Sequence, residues 1–153
     1  MLKKIYAFLE SNSIQFKKVH HEETLTAEES AKVRGEELSI GGNAFLMKVG
    51  EDFILFVISA ALRLDSKKIK KHFKTKKIRF ATPEELIELT GLKPGSIPPF
   101  GRPLFELDIY IDESITKNDK IAFNAGSLTD SITMDVKDYL AISNGKVIDF
   151  AKE

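Results

Sequence analysis

The chain contains no cysteine, so neither a disulfide framework nor thiolate chemistry is open to it. Three histidines without any cysteine leave too few ligands for a structural zinc site, and no metal or cofactor is expected. Lys plus Arg and Asp plus Glu stand at 23 each, which excludes a strong overall field. Contact with a polyanion must then come from uneven placement of charge. No run approaches the ~18 consecutive apolar residues of a membrane span. The opening Met1-Leu2-Lys3-Lys4-Ile5-Tyr6 lacks the apolar core of a signal peptide. These absences lead to the expectation of a cytoplasmic protein with no membrane partner. Phosphate-binding loops of the GxxxxGK(S/T) and GxGxxG kinds are missing as well. No nucleophile elbow surrounds Ser127, so a triad with Asp130 and one of His20, His21 or His72 is not expected. His20 and His21, adjacent on a strand, face opposite ways and cannot jointly ligate a metal.

What is present suits one domain spanning residues 1–153, with 42% hydrophobic and 30% charged residues. Leu2, Ile5, Phe8 and Leu9 fall at helical spacing, and the helix should stop near Asn12. Ile14, Phe16 and Lys18 alternate as in a strand. Thr26 to Glu29 reads as a capping box opening a helix to about Arg34, with Gly35 at its end. Residues 43–49 and 53–58 form a hairpin about Gly50-Glu51-Asp52, and the second strand, apolar throughout, should be central. Asp65 or Ser66 caps a helix turning Ile69 and Phe73 inward, and Ile78 to Phe80 is a strand. Thr82-Pro83-Glu84-Glu85 is a second capping box, closed by Gly91. After a loop from Leu92 to Pro103, Leu107, Ile109 and Ile111 alternate with acids and Tyr110, predicting a half-exposed strand. Two short strands flank Asn124 to Ser127, a helix covers Val136 to Ile142, and Val147 to Phe150 closes the sheet. The expected class is α+β, a mixed, strongly curved sheet forming a partial barrel, flanked by three to five helices.

Three segments stand out chemically. Between Asp65 and Ala81 lie Lys67, Lys68, Lys70, Lys71, Lys74, Lys76, Lys77 and Arg79, with no acid among them. This is either a polyanion surface or a solvated helix face; the lack of interspersed Glu favours the first. Gly91 to Pro103 is a stiff loop whose backbone N–H groups at Ser96 and Ile97 suit a carbonyl or oxyanion, unless it is a structural crossover. Phe123 to Leu128 offers small residues between two strands, and Gly126 would allow close approach of a ligand or serve a tight turn.

In order and spacing these segments resemble the YbaK family, also called the prolyl-tRNA synthetase editing or synthetase-associated domain family. The likeness rests on His21 to Glu29, on Arg79 to Glu85 with Thr90-Gly91-Leu92, on a GxxxP loop at Gly95 to Pro99, and on Phe123 to Ser127. It covers about residues 14 to 150. The resemblance implies a curved sheet flanked by helices. It also implies hydrolysis of tRNA carrying a small wrong amino acid, with water activated largely by a hydroxyl of the terminal adenosine and no metal. On that basis Asn43, Gly95, Ser96, Ile97 and Pro99 are the candidate catalytic positions, and His21, Gly126, Ser127, Leu128 and Arg102 the candidate substrate contacts. The family has lysine where this chain has Asn43, and some members have histidine where it has Leu128. Arg102 is the candidate substitute charge. The expected function is a freestanding deacylase acting on mischarged tRNA. The alternative, suggested by Asn43, is a weakly catalytic module that binds aminoacyl-tRNA or partners a synthetase.

If Lys67 to Lys74 touch tRNA, reversing Lys70, Lys71 and Lys74 to Glu should weaken tRNA binding and flatten its dependence on salt, since fewer counterions are released. Filter binding across a salt series checks this; an unchanged slope makes these lysines a solvated face.

Overall fold

The computed structural model describes residues 1–153. Its elements run α1 (Leu2–Ser11), β1 (Phe16–His20), α2 (Ala27–Arg34), a 3-10 turn (Leu38–Ile40), β2 (Gly42–Val49), β3 (Asp52–Ser59), β4 (Arg63–Leu64), α3 (Ser66–Phe73) and β5 (Ile78–Phe80). Then come α4 (Pro83–Thr90), β6 (Asp108–Asp112), α5 (Glu113–Thr116), β7 (Lys120–Asn124), β8 (Asp130–Asp135), α6 (Val136–Ser143), β9 (Lys146–Ile148) and β10 (Ala151–Lys152).

Local chemistry accounts for the boundaries. The apolar stripe of α1 buries Ile5 and Leu9 completely, and Asn12 ends the helix by donating its side-chain N–H to Phe8 O at 2.8 Å. Thr82 and Glu85 form both halves of a capping box at α4, with Pro83 at the first helical position. At α2 the box is shifted. Thr26 Oγ1 accepts the Glu29 N–H, but the Glu29 carboxylate accepts from Leu25 N–H rather than from Thr26. Gly35 and Gly91 end their helices with left-handed backbones that glycine adopts without a Cβ penalty.

The β2–β3 hairpin turns on Gly50-Glu51, with Val49 opposite Asp52. β3 is central, in the order β5-β2-β3-β6-β9, and β6 and β9 join it in parallel. Leu55 and Val57 point into the larger core with α1, α6 and the second sheet, while Ile54, Phe56 and Ile58 point into a smaller one under α3. Burying each such side chain contributes roughly 1.5–3 kcal/mol. β1, β8 and β7 form a separate antiparallel sheet, and β10 pairs with β4 alone.

The expected mixed α+β class with flanking helices is the one observed, but the sheet does not close. It divides where β2 and β7 would meet, and the junction is a single parallel bridge between Gly41 and Ala122. Six α-helices stand where three to five were expected. One of them, α5, is a single turn with one buried apolar residue, Ile115, and so has no periodicity to read. The β6 strand also departs from its alternation. Asp112 is buried, with its carboxylate accepting from Ser114 N–H at 2.9 Å and from Phe150 N–H at 2.8 Å. The acid starts α5 and ties the C-terminal segment to the sheet. No helix is long and apolar enough to cross a membrane.

Asp112→Ala removes a helix cap, worth about 1 kcal/mol, and leaves a buried Phe150 N–H unpaired, a further ~1–3 kcal/mol. Urea denaturation should show a loss of roughly 2–4 kcal/mol with little change in slope. A neutral result would mean that water replaces the carboxylate.

Candidate functional site

The split between the sheets makes the site. A Cβ on Gly42 would lie 2.6 Å from Ile121 Cδ1, so glycine is what lets β2 begin against β7. Beyond the bridge, β2 and β7 run in the same direction and part. β5 pairs only with Met47 to Val49, which leaves the first half of β2 open at its edge. A cavity of about 370 Å³ occupies this gap, bounded by β2, α2, residues 94–97 and the β7–β8 connection. That volume lies in the range of small-molecule sites, enough for the end of a larger ligand only. Leu25 and Phe80, 77% and 57% exposed, are its exposed large apolar side chains.

The loop from Leu92 to Pro103 is fixed through its carbonyls. Gly95 O accepts from Asn124 Nδ2 at 2.7 Å, Ser96 O accepts from Gly126 N–H at 2.9 Å, and Pro99 O accepts from the Tyr139 hydroxyl at 2.6 Å. Complete burial pushes the Tyr139 phenol well above its ordinary value, so it stays a donor. With these carbonyls held, the N–H groups of Gly95 and Ile97 have no acceptor in the protein, and both residues line the cavity. Ser96, expected as a donor beside Ile97, has its N–H on Lys93 O at 3.2 Å and its hydroxyl on the same oxygen at 2.7 Å. Ser96 and Pro99 are buried behind the cavity and do not line it.

Asn124 joins the loop to α2. Its Oδ1 accepts from Arg34 Nη2 at 3.3 Å and lies 3.3 Å from Ser131 Oγ. Ser131 Oγ is in turn 2.8 Å from His21 Nε2, while His21 Nδ1–H donates to Glu22 O at 2.7 Å. His21 therefore reaches the cavity only through Ser131 and Asn124.

The other expected residues separate into two groups. Asn43 and Leu128 line the cavity. The Asn43 carboxamide is half-buried and makes no hydrogen bond to the protein, and Leu128 Cδ2 faces Gly95. Gly126 does not admit a ligand. Its φ is +78°, and a Cβ there would meet Met1 Cγ at 2.7 Å, so it serves the packing of α1. Ser127 Oγ donates to Asp130 Oδ2 at 3.0 Å and His20 Nδ1 lies 2.8 Å from Asp130 Oδ1. The carboxylate stands between hydroxyl and imidazole, which is not a nucleophile–base order. Burial opposes ionisation of Asp130, but hydrogen bonds from His20, Ser127 and Thr129 outweigh it and hold the acid below its ordinary value. Arg102 is on the outside, paired with Asp108 and 3.8 Å from Glu106, and is not a substitute charge within the cavity.

None of the lysines of the basic stretch lines the cavity. Their helix, α3, packs on the sheet face of Met47, Ile54 and Phe56, opposite Leu46. Lys68 is paired with Asp149 at 3.0 Å and donates to Ala151 O at 2.8 Å. Arg79 holds Glu85 through two bonds of 2.7 and 2.9 Å, which with the Thr82 N–H lowers that acid to about 2. Lys67, Lys70, Lys71 and Lys74 have no carboxylate partner. Arg34, at the end of α2, carried no signal in the sequence beyond its place in a helix, yet it is the one ionisable residue lining the cavity.

A profile of the aminoacyl-tRNA editing domain matches residues 21–142. The multifunctional Ser/Thr-tRNA deacylase ProXp-y of Escherichia coli (strain K12) is 30% identical over 155 aligned positions, covering 97% of this chain and 92% of the relative. A proline–tRNA ligase of Macrococcus caseolyticus (strain JCSC5402) is 29% identical over 108 positions, 71% of this chain but 19% of the ligase. Among solved structures, one described as a candidate trans-editing enzyme for prolyl tRNA synthetase superposes with a TM-score of 0.85 at 25% identity, over 99% of this chain and 97% of that one.

Gly95 has φ +85°, where a side chain costs roughly 1–2 kcal/mol, and an added Cβ would touch only Leu128 Cδ2 at 3.6 Å. Gly95→Ala should therefore fold, with its unfolding free energy from urea denaturation lowered by about that amount. A much larger loss would mean that the loop needs more of Gly95 than its left-handed backbone.

Proposed function

The chain belongs to the aminoacyl-tRNA editing domain family, and from that premise we propose that it hydrolyses the ester linking a small, wrong amino acid to tRNA. In this reading residues 1–153 act as one editing unit, in trans, on tRNA that a synthetase has released. The observation that carries it is the pair of acceptor-free N–H groups at Gly95 and Ile97, two residues that line a cavity too small for more than the end of a tRNA.

The chemistry follows from what lines the cavity. The ester carbonyl oxygen accepts from the Ile97 and Gly95 N–H groups, which favour it more as negative charge develops. A water oxygen bonds to the carbonyl carbon, the ester C–O bond breaks, and the water's proton ends on the departing ribose oxygen. No carboxylate, histidine or lysine lines the cavity to take that proton in transit. The adjacent ribose hydroxyl of the substrate supplies the relay, so the protein's part is positioning and charge stabilisation. Leu46, Ile97 and Leu128 present apolar walls that suit a short side chain. The Ser/Thr-tRNA deacylase among the relatives makes serine and threonine the first acyl groups to test, beside alanine and cysteine. The unpaired lysines of α3 are available to the acceptor stem.

A second reading, a module that captures aminoacyl-tRNA with little turnover, is favoured by one observation. Asn43 offers only neutral amide donors, without a partner, at a position where a charge would bind phosphate or carbonyl oxygens about twice as strongly.

Deacylation measured on tRNAs charged with alanine, serine, threonine and cysteine is expected to show turnover on at least one. Asn43→Lys is expected to raise that rate about tenfold, or ~1.4 kcal/mol of barrier. A fast wild type slowed by the lysine would make asparagine the adapted residue. Tight binding without hydrolysis in either protein would replace the deacylase reading with the module.

A further inference from the structure

The cavity lining holds one charge and no carboxylate. Arg34 is in none of the protein's ion pairs. Its Nη2 makes one long bond, 3.3 Å, to the neutral Asn124 carboxamide, and its Nε is buried without any acceptor. Glu36, two residues on, is turned to the Thr133 hydroxyl at 3.1 and 3.3 Å. Nη1 lies beside Gly41, 3.9 Å from where a Cβ would stand, so the guanidinium sits next to the bridge from which the cavity opens. Burial lowers the pKa of Arg34, with the charge of Glu36 opposing it in part, yet an arginine remains charged at any neutral pH.

A desolvated cation without a counterion is costly, and a neutral carbonyl or hydroxyl recovers little of that cost. A ligand bringing a full negative charge recovers much more. On the editing reading, the end of the ligand consists of a neutral base, ribose hydroxyls, an ester, an α-ammonium group and a phosphodiester. The ammonium is repelled by Arg34, and the phosphodiester is the one anion. We propose that Arg34 is the anion anchor of the cavity, holding the phosphate on the 5′ side of the terminal nucleoside through its planar fork of N–H donors. Asn124 is the positioning residue between this anchor and the carbonyl-binding loop, since one carboxamide accepts from Arg34 and donates to Gly95 O. Phosphate and ester are thereby registered against each other by a single side chain. The proposal rests on the editing reading for the identity of the ligand, and its test does not use turnover.

The test compares adenosine with adenosine 5′-monophosphate as ligands of the full chain by calorimetry. The wild type is expected to bind the monophosphate at least tenfold more tightly than the nucleoside, and Arg34→Gln to bring the two affinities together. The wild-type Arg34 Nε–H resonance, which needs no variant, is expected to move with the monophosphate and stay still with adenosine. Equal affinities in the wild type, a preference that survives Arg34→Gln, or an unmoved Nε–H each overturns the anchor. Turnover of mischarged tRNA without a monophosphate preference would sink the anchor and leave the deacylase standing. An Arg34-dependent preference in a protein with no turnover would do the reverse.

Discussion

The contact on which the site depends is the one between Gly41-Gly42 and Ile121-Ala122. Two sheets that could have merged touch there at a single bridge, and Gly42 is tolerated against Ile121 only because it has no side chain. Beyond the bridge both strands continue forward and part, and no strand fills the angle between them. The polar edge of β2 that this exposes would be an aggregation hazard on a flat surface. Here α2, the Gly-Pro loop and the β7–β8 turn cover it, and the space they leave is the cavity. The same feature thus stops closure of the sheet and creates room for a ligand.

A second constraint follows from the first. The loop across the cavity belongs to neither sheet, so its backbone groups cannot be satisfied by a ladder. Its carbonyls are taken one by one by an asparagine side chain, a glycine N–H and a buried tyrosine hydroxyl. Each of these bonds fixes a peptide plane, and a plane whose C=O is held outward presents its N–H on the opposite side. The free donor at Ile97 follows from the Ser96 carbonyl held by the Gly126 N–H, with no need for a charged residue to create it, whereas the Gly95 N–H belongs to the Pro94 peptide plane and is free without such a tie. Tyr139 supplies the most protected of these anchors because it is wholly buried on α6, in the larger core.

The sequence was legible where a rule acts over a few neighbouring residues. The capping residues Thr26, Asp65 and Thr82, the hairpin about Gly50, and the central position of β3 all follow from local spacing. The GxxxP loop and the asparagine at position 43 were found through family resemblance, and the structure brings Gly95, Ile97, Asn43 and Leu128 to one cavity. What stayed hidden depends on residues far apart in the chain. Asp112 reads as an exposed member of an alternating strand, and only the distant Phe150 N–H makes it a buried acceptor. Gly126 reads as an opening for a ligand, whereas Met1 fills that space. Arg102 is the exception in distance: it reads as a cation beside the loop, but Glu106 and Asp108, four and six residues on, hold it outside.

Arg34 shows why the charge of the site could not be found by counting. Eight basic residues between Lys67 and Arg79 dominate any map of composition, yet they are solvated or paired, and dissolved salt screens such charges beyond about 10 Å at ordinary ionic strength. One guanidinium inside a cavity without acids is screened far less, because few water dipoles can turn toward it. The electrostatics of ligand capture therefore divide by distance. On the proposed reading, the exposed lysines would supply a weak, salt-sensitive attraction spread over a large surface, whereas the half-buried Arg34 would act only on the group that reaches it. A cavity arranged in this way is indifferent to most of a long polyanion and selective for its last residue. Because that terminal phosphate is common to every tRNA, choice of the acyl group would fall to the apolar walls of Leu46, Ile97 and Leu128.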